Sequence, residues 1–487
     1  MAANQPQGAG GAQESLLYQI VKPSPDPAQQ ATSARSLGTL LKKVAAGEIP
    51  ASDDLARVLT KRIADIDRRI SGQLQKIMHH PEFQRLEAAW RGLHYLVHQT
   101  EEAGGDVRIR VLNISKNELA KDLQPGRKFD ASALWRKVYE DAYGTYGGKP
   151  FGVLIGDYEF SNHPQDVELL KGIAGVAAAA HAPFLAAAGA ELFNWSSFTE
   201  QGETTSLTKL FDRAEYANWR SFRALDDSRY VGLCLPHFLL RLPYGRDTVR
   251  VEGLDFEEDV SGRDHSKYLW GNAAYALAGR IVEAFARYNW CAAIRGPENG
   301  GMVRNLPMHT YQTDAGTKAV KCPVEVSLDD RREKEFCDMG FIPLVHHLEE
   351  NFAVFFGTNS CHRPPNYSTD DANKNARLGT QLQYIMATSR IAHYLKALAR
   401  DKIGSFTSLD DCHRFLNEWI RRYVTDESAS EETKARYPLS DARIDVEEVP
   451  GKPGAYKAVA YLRPHFQLDE LTMSLRLVAR IPDPKGK

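Results

Sequence analysis

The chain has 487 residues, of which 43% are hydrophobic and 25% are charged, and this composition is typical of a globular protein with two or three domains. Its 61 basic and 63 acidic residues give a formal net charge of -2, which argues against nucleic acid or an anionic membrane as a general partner. The six cysteines form no CxxC pair, and the chain begins without the basic start and apolar core of a signal peptide. No stretch is long and apolar enough to predict membrane insertion, so we expect a reduced, cytoplasmic protein.

The sequence of residues 1–50 predicts an arm that leads into the folded body. A short apolar run, which includes Leu17, Tyr18 and Ile20, lies between a Gln/Gly/Ala-rich start and the proline-broken KPSPDP. This run is too short to bury itself, so it is either a frayed tail or a strand that pairs with the sheet of another chain. A short amphipathic helix is predicted after it, with its apolar face formed by Leu37, Leu40, Leu41 and Val44.

Two helices are predicted between residues 51 and 98. In the second helix, apolar residues recur at steps of three and four, and Glu87 and Arg91 are expected to pair on the solvent face. The apolar stripe consists of Phe83, Leu86, Trp90, Leu93 and Val97. We expect this stripe to pack inside the subunit, with Trp90 buried there rather than against a partner. His94 and His98 stand one turn apart and are interpreted as surface histidines, with a metal site as the alternative.

A mixed α/β body is predicted from residue 51 to about residue 365. Residues 107–114 (VRIRVLNI) alternate as a strand does, and a strand at 151–155, a helix at 166–180 and a strand at 183–188 predict a right-handed crossover between parallel strands. Further strands are predicted at residues 230–235, 291–295, 324–328, 342–345 and 353–356. This order of elements predicts a mixed sheet flanked by helices.

A linker is predicted at residues 362–376, followed by a smaller C-terminal region. Its first helix begins near residue 378 and carries a basic face with Arg390, Lys396, Arg400 and Lys402, which we interpret as a contact to an acidic protein partner. A second helix is predicted around residues 415–423. Strands at 443–449, 456–463 and 474–481 then predict a small sheet with open edges.

Residues that could carry chemistry are few. The chain has no GxxxxGK[ST] loop, no strand-coupled GxGxxG, no HExxH and no GxSxG motif, so the common enzyme classes lack their usual residues. The alternative of an α/β enzyme rests on Asp157, Glu159, His163 and Asp166, which follow a predicted strand.

Two charged segments have alternative interpretations. The acidic group at residues 255–259 is interpreted as a solvated loop, with a divalent-cation site or a general acid and base pair as the alternatives. Arg331 and Arg332 lie in a mixed charged run, which is interpreted either as a salt-bridged helix surface or as a charged contact to another subunit.

Long blocks of the sequence resemble one known family. They begin at residues 79, 151, 181, 219, 267, 330 and 463 and read HHPEFQRLEAAWRGLHYLV, FGVLIGDYEFSNHPQDVELL, HAPFLAAA, WRSFRALDDSRYVGLCLPHFLLRLPYG, KYLWGNAAYALAGR, DRREKEFCDMGFIPL and RPHFQLDELTMSLRL. These blocks are similar to the large sheath subunit of the bacterial type VI secretion system, the TssC/VipB/EvpB family. The resemblance runs from about residue 60 to the C-terminus.

The resemblance implies a structural protein of the bacterial cytoplasm that is not an enzyme and needs no cofactor. Members pair with a small sheath subunit (TssB/VipA), self-associate into a helical sheath around a tube of Hcp, and contract on a baseplate to propel effectors. A AAA+ ATPase, ClpV, then disassembles the contracted sheath through the N-terminal region of the large subunit. We assign this recognition to the short helix with Leu37, Leu40, Leu41 and Val44.

The resemblance also implies a multi-domain, contractile tail-sheath-like fold. The predicted parts are an arm (1–50), an α/β body in the middle and outer layer (51–365) and an inner-layer assembly domain (366–487). Strands of neighbouring subunits would complete the small C-terminal sheet. The residues assigned to this strand pairing are Leu17, Tyr18, Ile20, Val459, Tyr461, Leu475, Leu477 and Ala479.

Overall fold

The computed structural model describes residues 55–124, 129–203, 206–260, 264–313, 316–401, 409–448 and 456–465, together with Gly262 and a few residues between 35 and 46. The chain divides into two compact units. One comprises Met1–Lys76 and Arg250–Glu258, and the other comprises Ile77–Val249 and Asp259–Lys487. Within the described ranges, no helix is both long enough and apolar enough to cross a membrane.

Helices form the larger part of the described chain. In chain order they are α1 (Leu55–Met78), α2 (Pro81–Ala103), α3 (Lys116–Asp122), α4 (Ala133–Trp135), α5 (Pro164–Ala180), α6 (Leu207–Phe211), α7 (Ala217–Arg223), α8 (Ala273–Tyr288), α9 (Asp330–Asp338), α10 (Asp370–Leu378), α11 (Leu382–Asp401), α12 (Leu409–Arg421) and α13 (Glu431–Arg436). A π-helix, Arg136–Gly144, follows α4. Short 3₁₀ turns occur at Phe129–Ala131, Ala190–Phe193, Phe198–Glu203, Ala214–Tyr216, Asp226–Tyr230 and His265–Lys267.

The strands form one six-stranded sheet and several two-stranded ribbons. In chain order they are β1 (Leu154–Phe160), β2 (Phe184–Ala188), β3 (Val231–Leu235), β4 (Phe238–Leu239), β5 (Trp270–Gly271), β6 (Met302–Val303), β7 (Thr310–Gln312), β8 (Lys318–Val320), β9 (Ile342–His346), β10 (Ala353–Phe355), β11 (Leu439–Glu448) and β12 (Tyr456–Pro464). The large sheet has the order β1-β2-β3-β9-β10-β6.

The large sheet confirms the mixed α/β prediction. Strands β1, β2, β3 and β9 run parallel, whereas β10 is antiparallel to both β9 and β6. Helix α5 connects β1 to β2, so the predicted strand, crossover and parallel strand are present. The ribbons pair β4 with β5, β7 with β8 and β11 with β12.

Both faces of the large sheet are buried. Alternate residues of β2 enter different cores: Ala186 joins the core that contains α5, and Leu185 joins the core that contains α8. Strands covered on both faces read as continuous apolar runs, which is why VGLCL and FLAAA show no polar alternation. Helices therefore cover this sheet on both sides, as the sequence predicted.

Several predicted elements are wrong. Residues 107–114, 291–295 and 324–328 form no strand, and Val324 makes only an isolated bridge to Phe238. The reason at the latter two sites is tertiary: Ile294 and Val324 are fully buried in the core beside α8, so irregular backbone supplies the apolar side chains there. Part of the predicted linker is helix α10.

The C-terminal region packs two helices against a hairpin. Helices α11 and α12 share a core with β11, in which Ile391, Leu416 and Ile444 are buried. The hairpin places Val459 and Tyr461 of β12 opposite Asp445 and Arg443 of β11. The strand predicted at residues 474–481 lies outside the described residues.

Candidate functional site

Helix α2 has clear sequence signals at both ends. The His80 side chain accepts a hydrogen bond from the Glu82 backbone N–H at 3.3 Å, and Pro81 occupies the first helical turn, where its missing N–H costs nothing. The helix ends before Gly104, whose φ of 70° lies in the region that glycine adopts readily. The 23-residue helix between these ends carries two stripes of side chains with different surroundings.

The larger apolar stripe of α2 is exposed. The side chain of Trp90 is 64% exposed and that of Leu86 is 56% exposed, and Phe83 and Val97 are exposed as well. The prediction that Trp90 is buried within this subunit is therefore wrong. Helix α1 likewise exposes Ile63, Ile66 and Ile70, which recur at helical spacing. A run of large apolar side chains along one helix face is the usual mark of a protein contact surface.

The opposite stripe of α2 faces the body. Leu96 is only 4% exposed, and a Cβ placed on Gly92 would lie 2.5 Å from the Tyr275 ring of α8, so the two helices approach closely at this glycine. On this side Glu87 accepts hydrogen bonds from Arg91 at 2.7 Å and from Arg241 at 2.8 Å. Burial alone would raise the pKa of Glu87, but the two arginines hold it below its ordinary value.

The predicted Glu87–Arg91 pair is therefore present, but the predicted buried and exposed faces of α2 are the wrong way round. The Glu87–Arg91 pair exists, yet it lies toward the body, because Arg241 and Tyr244 extend its hydrogen bonding inward. The missed signal was a glycine on each helix, Gly92 in α2 and Gly279 in α8, since small residues permit close helix packing. A search for the largest apolar residues alone found the exposed stripe.

A charged cluster lies at the carboxyl ends of the parallel strands. His237, two residues after β3, bridges two carboxylates: its Nδ1 is 2.6 Å from Glu325 Oε2 and its Nε2 is 3.0 Å from Glu159 Oε1. His265 approaches the other oxygen of Glu325 at 3.6 Å, and Lys321 Nζ is 3.0 Å from His265 Nδ1. Of these residues the sequence analysis singled out only Glu159.

Burial and pairing set the protonation of this cluster. Burial would lower the pKa of His237, but hydrogen bonds from its ring to Glu159 and Glu325 raise the pKa to about 10. Burial would raise the pKa of Glu325, but hydrogen bonds and charge from His237 and His265 lower it to about 2. His237 is therefore a protonated cation that joins two anions. The Glu159 side chain is 60% exposed, so the enclosed pair is the one with Glu325.

The residues of the enzyme alternative take structural roles. Asp166 accepts hydrogen bonds from Lys116 Nζ at 2.7 Å and from the Ser161 hydroxyl at 2.8 Å, and His163 is the residue that precedes α5. A shallow groove of about 430 Å³ is lined by Phe129, Tyr230 and their neighbours, and none of the charged-cluster residues lines it. The charged residues of the cluster thus pair with one another.

The basic residues of α11 make contacts within their own chain. The Arg390 guanidinium lies 4.8 Å from the Phe285 ring centroid, and Lys396 Nζ lies 3.4 Å from that of Tyr143. Arg400 donates hydrogen bonds to the carbonyls of Tyr143, Gly144 and Thr145, which end the π-helix. None of the three is exposed, because each is attracted to rings or carbonyl oxygens of its own chain. These three side chains are half-buried, and their contact to an acidic partner stays a prediction.

The two arginines of α9, Arg331 and Arg332, differ in exposure and in hydrogen bonding. The Arg331 side chain is 75% exposed, whereas the Arg332 guanidinium bonds to Glu335 at 2.8 Å and to the Gln201 carbonyl at 3.0 Å. The salt-bridged helix surface is thus present, and a charged contact to another subunit stays a prediction. Within the described part of the chain, no group of three or more His, Cys, Asp or Glu side chains is arranged to hold a metal ion.

Several predicted site residues lie outside the described residues. Those of the recognition helix are Leu37, Leu40, Leu41 and Val44, and that of the basic face is Lys402. For strand exchange they are Leu17, Tyr18, Ile20, Leu475, Leu477 and Ala479. The roles of these residues stay predictions.

Comparisons with known proteins match nearly the whole chain. The model of the EvpB/VC_A0108 tail sheath N-terminal domain matches residues 60–362, and that of the EvpB/VC_A0108 tail sheath gpW/gp25-like domain matches residues 371–481. An exposed apolar helix face and a charged cluster that is internally paired fit a protein that works by assembly, and the matches define its class as a tail sheath protein.

A characterised relative narrows the class. The type VI secretion system sheath protein TssC1 of Pseudomonas aeruginosa is 47% identical over 475 residues, which cover 97% of this chain and 95% of that protein. The chain belongs to the EvpB/VC_A0108 family of type VI secretion system sheath proteins. The chain is also distantly similar to a chain of the anti-feeding prophage baseplate, with 8% identity and a TM-score of 0.36 over 77% of this chain and 84% of that one.

Proposed function

We propose that this sheath protein is the large subunit of a contractile sheath in the bacterial cytoplasm. It pairs with a small sheath subunit of the TssB/VipA type, and the pairs polymerise around a tube of Hcp. Contraction from the baseplate drives that tube outward, and a ClpV-type ATPase recycles the subunits. The chain itself catalyses no reaction, because assembly supplies the free energy of contraction.

The exposed stripe of α2 is the observation that carries this proposal. Burying a large apolar side chain stabilises an interface by about 1.5–3 kcal/mol, so Phe83, Leu86, Trp90 and Val97 together form a strong anchor. Tryptophan is the residue type most often found at the energetic centre of an interface. We assign this face to the small subunit, which would cover it with an apolar helix.

Strand exchange at the C-terminal hairpin belongs to the same proposal. Hairpin β11–β12 is a two-stranded sheet, and no described strand pairs with the outer edge of β12. The side chain of Tyr461 on β12 is exposed. An open edge of this kind is completed readily by the strand of a neighbouring subunit, which supports the assignment of Val459 and Tyr461 to the lattice contact.

Co-production of this chain with its small partner subunit tests the proposal. The wild-type pair should form regular tubules in electron micrographs. The double variant Leu86→Glu, Trp90→Glu should bind the small subunit at least about 30-fold more weakly, since losing a central anchor costs about 2 kcal/mol or more, and tubules should disappear. Arg85→Glu, exposed on the same helix but outside the stripe, is the matched control and should leave binding unchanged.

Two results would contradict different parts of the proposal. A wild-type pair that forms only a discrete soluble heterodimer at all salt concentrations would overturn the sheath function. Normal tubules and normal affinity from the Leu86→Glu, Trp90→Glu variant would leave the function intact and overturn the assignment of α2 as the partner surface.

A further inference from the structure

Residues 107–114, hereafter the VRIRVLNI segment, keep a strand-like sequence without being part of a strand. Arginines alternate with apolar residues at the start of the segment, as in a strand with two different faces. The side chain of Val111 is 70% exposed, and Leu112 and Ile109 are exposed as well. Such residues favour β structure and burial, yet the part of the chain that the structure describes provides neither for them.

The backbone of the VRIRVLNI segment is also unpaired. At its start, the backbone N–H of Val107 donates a hydrogen bond to the Gly105 carbonyl at 3.1 Å. At its end, the carbonyl of Ile114 accepts a hydrogen bond from the Tyr158 hydroxyl at 2.7 Å. Between these ends, the amides of residues 108–113 make no hydrogen bond to any residue that the structure describes. Six consecutive donors are therefore open to another chain.

The segment is fixed beside the edge of the large sheet. Among the described strands, β1 stands at the end of the sheet order and pairs only with β2. The Arg110 guanidinium lies 5.5 Å from the Phe151 ring just before β1, and the Tyr158 contact holds Ile114 near the end of β1. Lys116, which follows the segment, donates to the Glu159 carbonyl at 2.6 Å. These contacts position the segment in advance, which lowers the entropy lost on binding.

We propose that the VRIRVLNI segment is a docking edge to which a second polypeptide adds a β-strand. The added strand would donate and accept main-chain hydrogen bonds along residues 108–113 and would place apolar side chains over Ile109 and Val111. It would carry carboxylates opposite Arg108 and Arg110, because opposite charges stabilise cross-strand pairs. The inference rests on the proposed function, in which the small sheath subunit supplies this strand.

A second copy of this chain fits the edge less well. Parallel pairing in register would place Arg108 opposite Arg108 and Arg110 opposite Arg110, and like charges directly opposite each other are destabilising. Antiparallel pairing of residues 107–114 with themselves places Arg110 opposite an apolar residue, either Val111 or Leu112 in the two central registers. A different, acidic strand satisfies both the arginines and the apolar residues.

Hydrogen exchange on the co-purified complex of the full chain and its small subunit tests the strand. A ladder should slow exchange of the amides that point toward the added strand, which are alternate residues within 108–113, by about 100-fold or more relative to unpaired peptide. Val111→Pro and Leu112→Pro remove neighbouring N–H groups that point to opposite edges, so one of them should weaken binding by at least about 10-fold. Val111→Ala and Leu112→Ala keep the N–H groups and are the controls, with smaller losses expected.

The outcomes separate this inference from the proposed function. A stable complex in which amides 108–113 exchange like unpaired peptide, or in which both proline variants bind normally, would overturn the added strand and leave the sheath function standing. Protection of the same amides in the chain without the small subunit would identify a second copy as the source and overturn the assigned partner. The absence of any complex with the small subunit would overturn both proposals.

Discussion

The charged cluster at the sheet edge and the outer face of α2 are opposite kinds of site. In the cluster, His237 and Glu325 are nearly enclosed, and each has its hydrogen-bonding partner within the same chain. On α2, large apolar side chains are exposed, and no residue that the structure describes buries them. The cluster contains residue types that are common in active sites, but its ion pairs join β1, the loop after β3 and the segment before α9.

The difference between the two sites indicates where to look for function in an assembly protein. Buried ionisable groups with shifted pKa values often mark active sites, but internally satisfied networks shift pKa values as well. Here the more informative feature is apolar surface that the fold leaves unburied. The comparison predicts that changes at the cluster reduce the stability of the chain, whereas changes on the outer face reduce assembly.

The largest effect is expected at His237. His237→Leu would leave the enclosed carboxylate of Glu325 without its main counter-charge, and breaking a buried ion pair in this way costs about 3–5 kcal/mol. The measurement is the denaturant midpoint of the purified chain or its complex. Glu159→Gln is the control, because this more exposed partner should contribute about 1 kcal/mol or less. Equal losses from both variants would contradict the enclosed pair.

Two leucines on α2 give a matched test of its two faces. Leu96→Ala should reduce the free energy of unfolding by about 2–5 kcal/mol, since Leu96 is buried against α8. Leu86→Ala should change it by less than about 0.5 kcal/mol, because this side chain is exposed. Thermal unfolding of the chain checks both. If Leu86→Ala destabilised the chain as strongly as Leu96→Ala, the outer face would be part of the core.

The charged cluster should also make stability depend on pH. The pKa of His237 is about 10 in the folded chain, above its ordinary value of about 6.5, so the folded state holds a proton that the unfolded state loses. This stabilisation is complete below about pH 6.5 and is lost as pH rises toward 10.

From pH 7 to pH 9 the wild type should lose up to about 2.7 kcal/mol more than His237→Gln does. Denaturant titrations of both proteins at these two pH values provide the measurement. Parallel curves for the two proteins would show that His237 does not carry the expected proton.

The smallest effect is expected at Lys396, a residue of the predicted basic face that makes a contact within its own chain. Lys396→Met keeps most of the aliphatic stem but removes the cation from the Tyr143 ring, and we expect a loss of about 0.5–1 kcal/mol in stability with normal tubules. Unfolding and electron microscopy of the same sample check this. Unchanged stability together with lost tubules would instead favour the charged contact to another subunit.

The sequence predicted those parts of the fold that local patterns determine. The parallel pair β1–β2 with α5 between them, the long helices and the C-terminal hairpin follow from periodicity and turn residues. Residues 107–114 were misassigned because an alternating pattern shows fitness for a strand but cannot show whether a partner strand is present in the same chain.

The candidate sites were harder to predict for a physical reason. Glu159, His237 and Glu325 are separated by 78 and 88 residues from one contact to the next, so only the folded sheet brings them together. For α2, two stripes share the same helical period, and the choice between them depends on the close approach of Gly92 to Tyr275. No local pattern brings the cluster residues together, and Gly92 is a local signal that does not identify Tyr275 as its contact.

The close contact between α2 and α8 has a mechanical consequence. A load applied to Trp90 on the outer face would pass through α2 to α8 at the Gly92–Tyr275 contact, where there is no room for the helices to move closer. Helix α8 in turn shares a core with β2, β3 and β9 of the parallel sheet. Because closely packed interiors transmit strain with little compression, a push on this face would be passed on to the sheet.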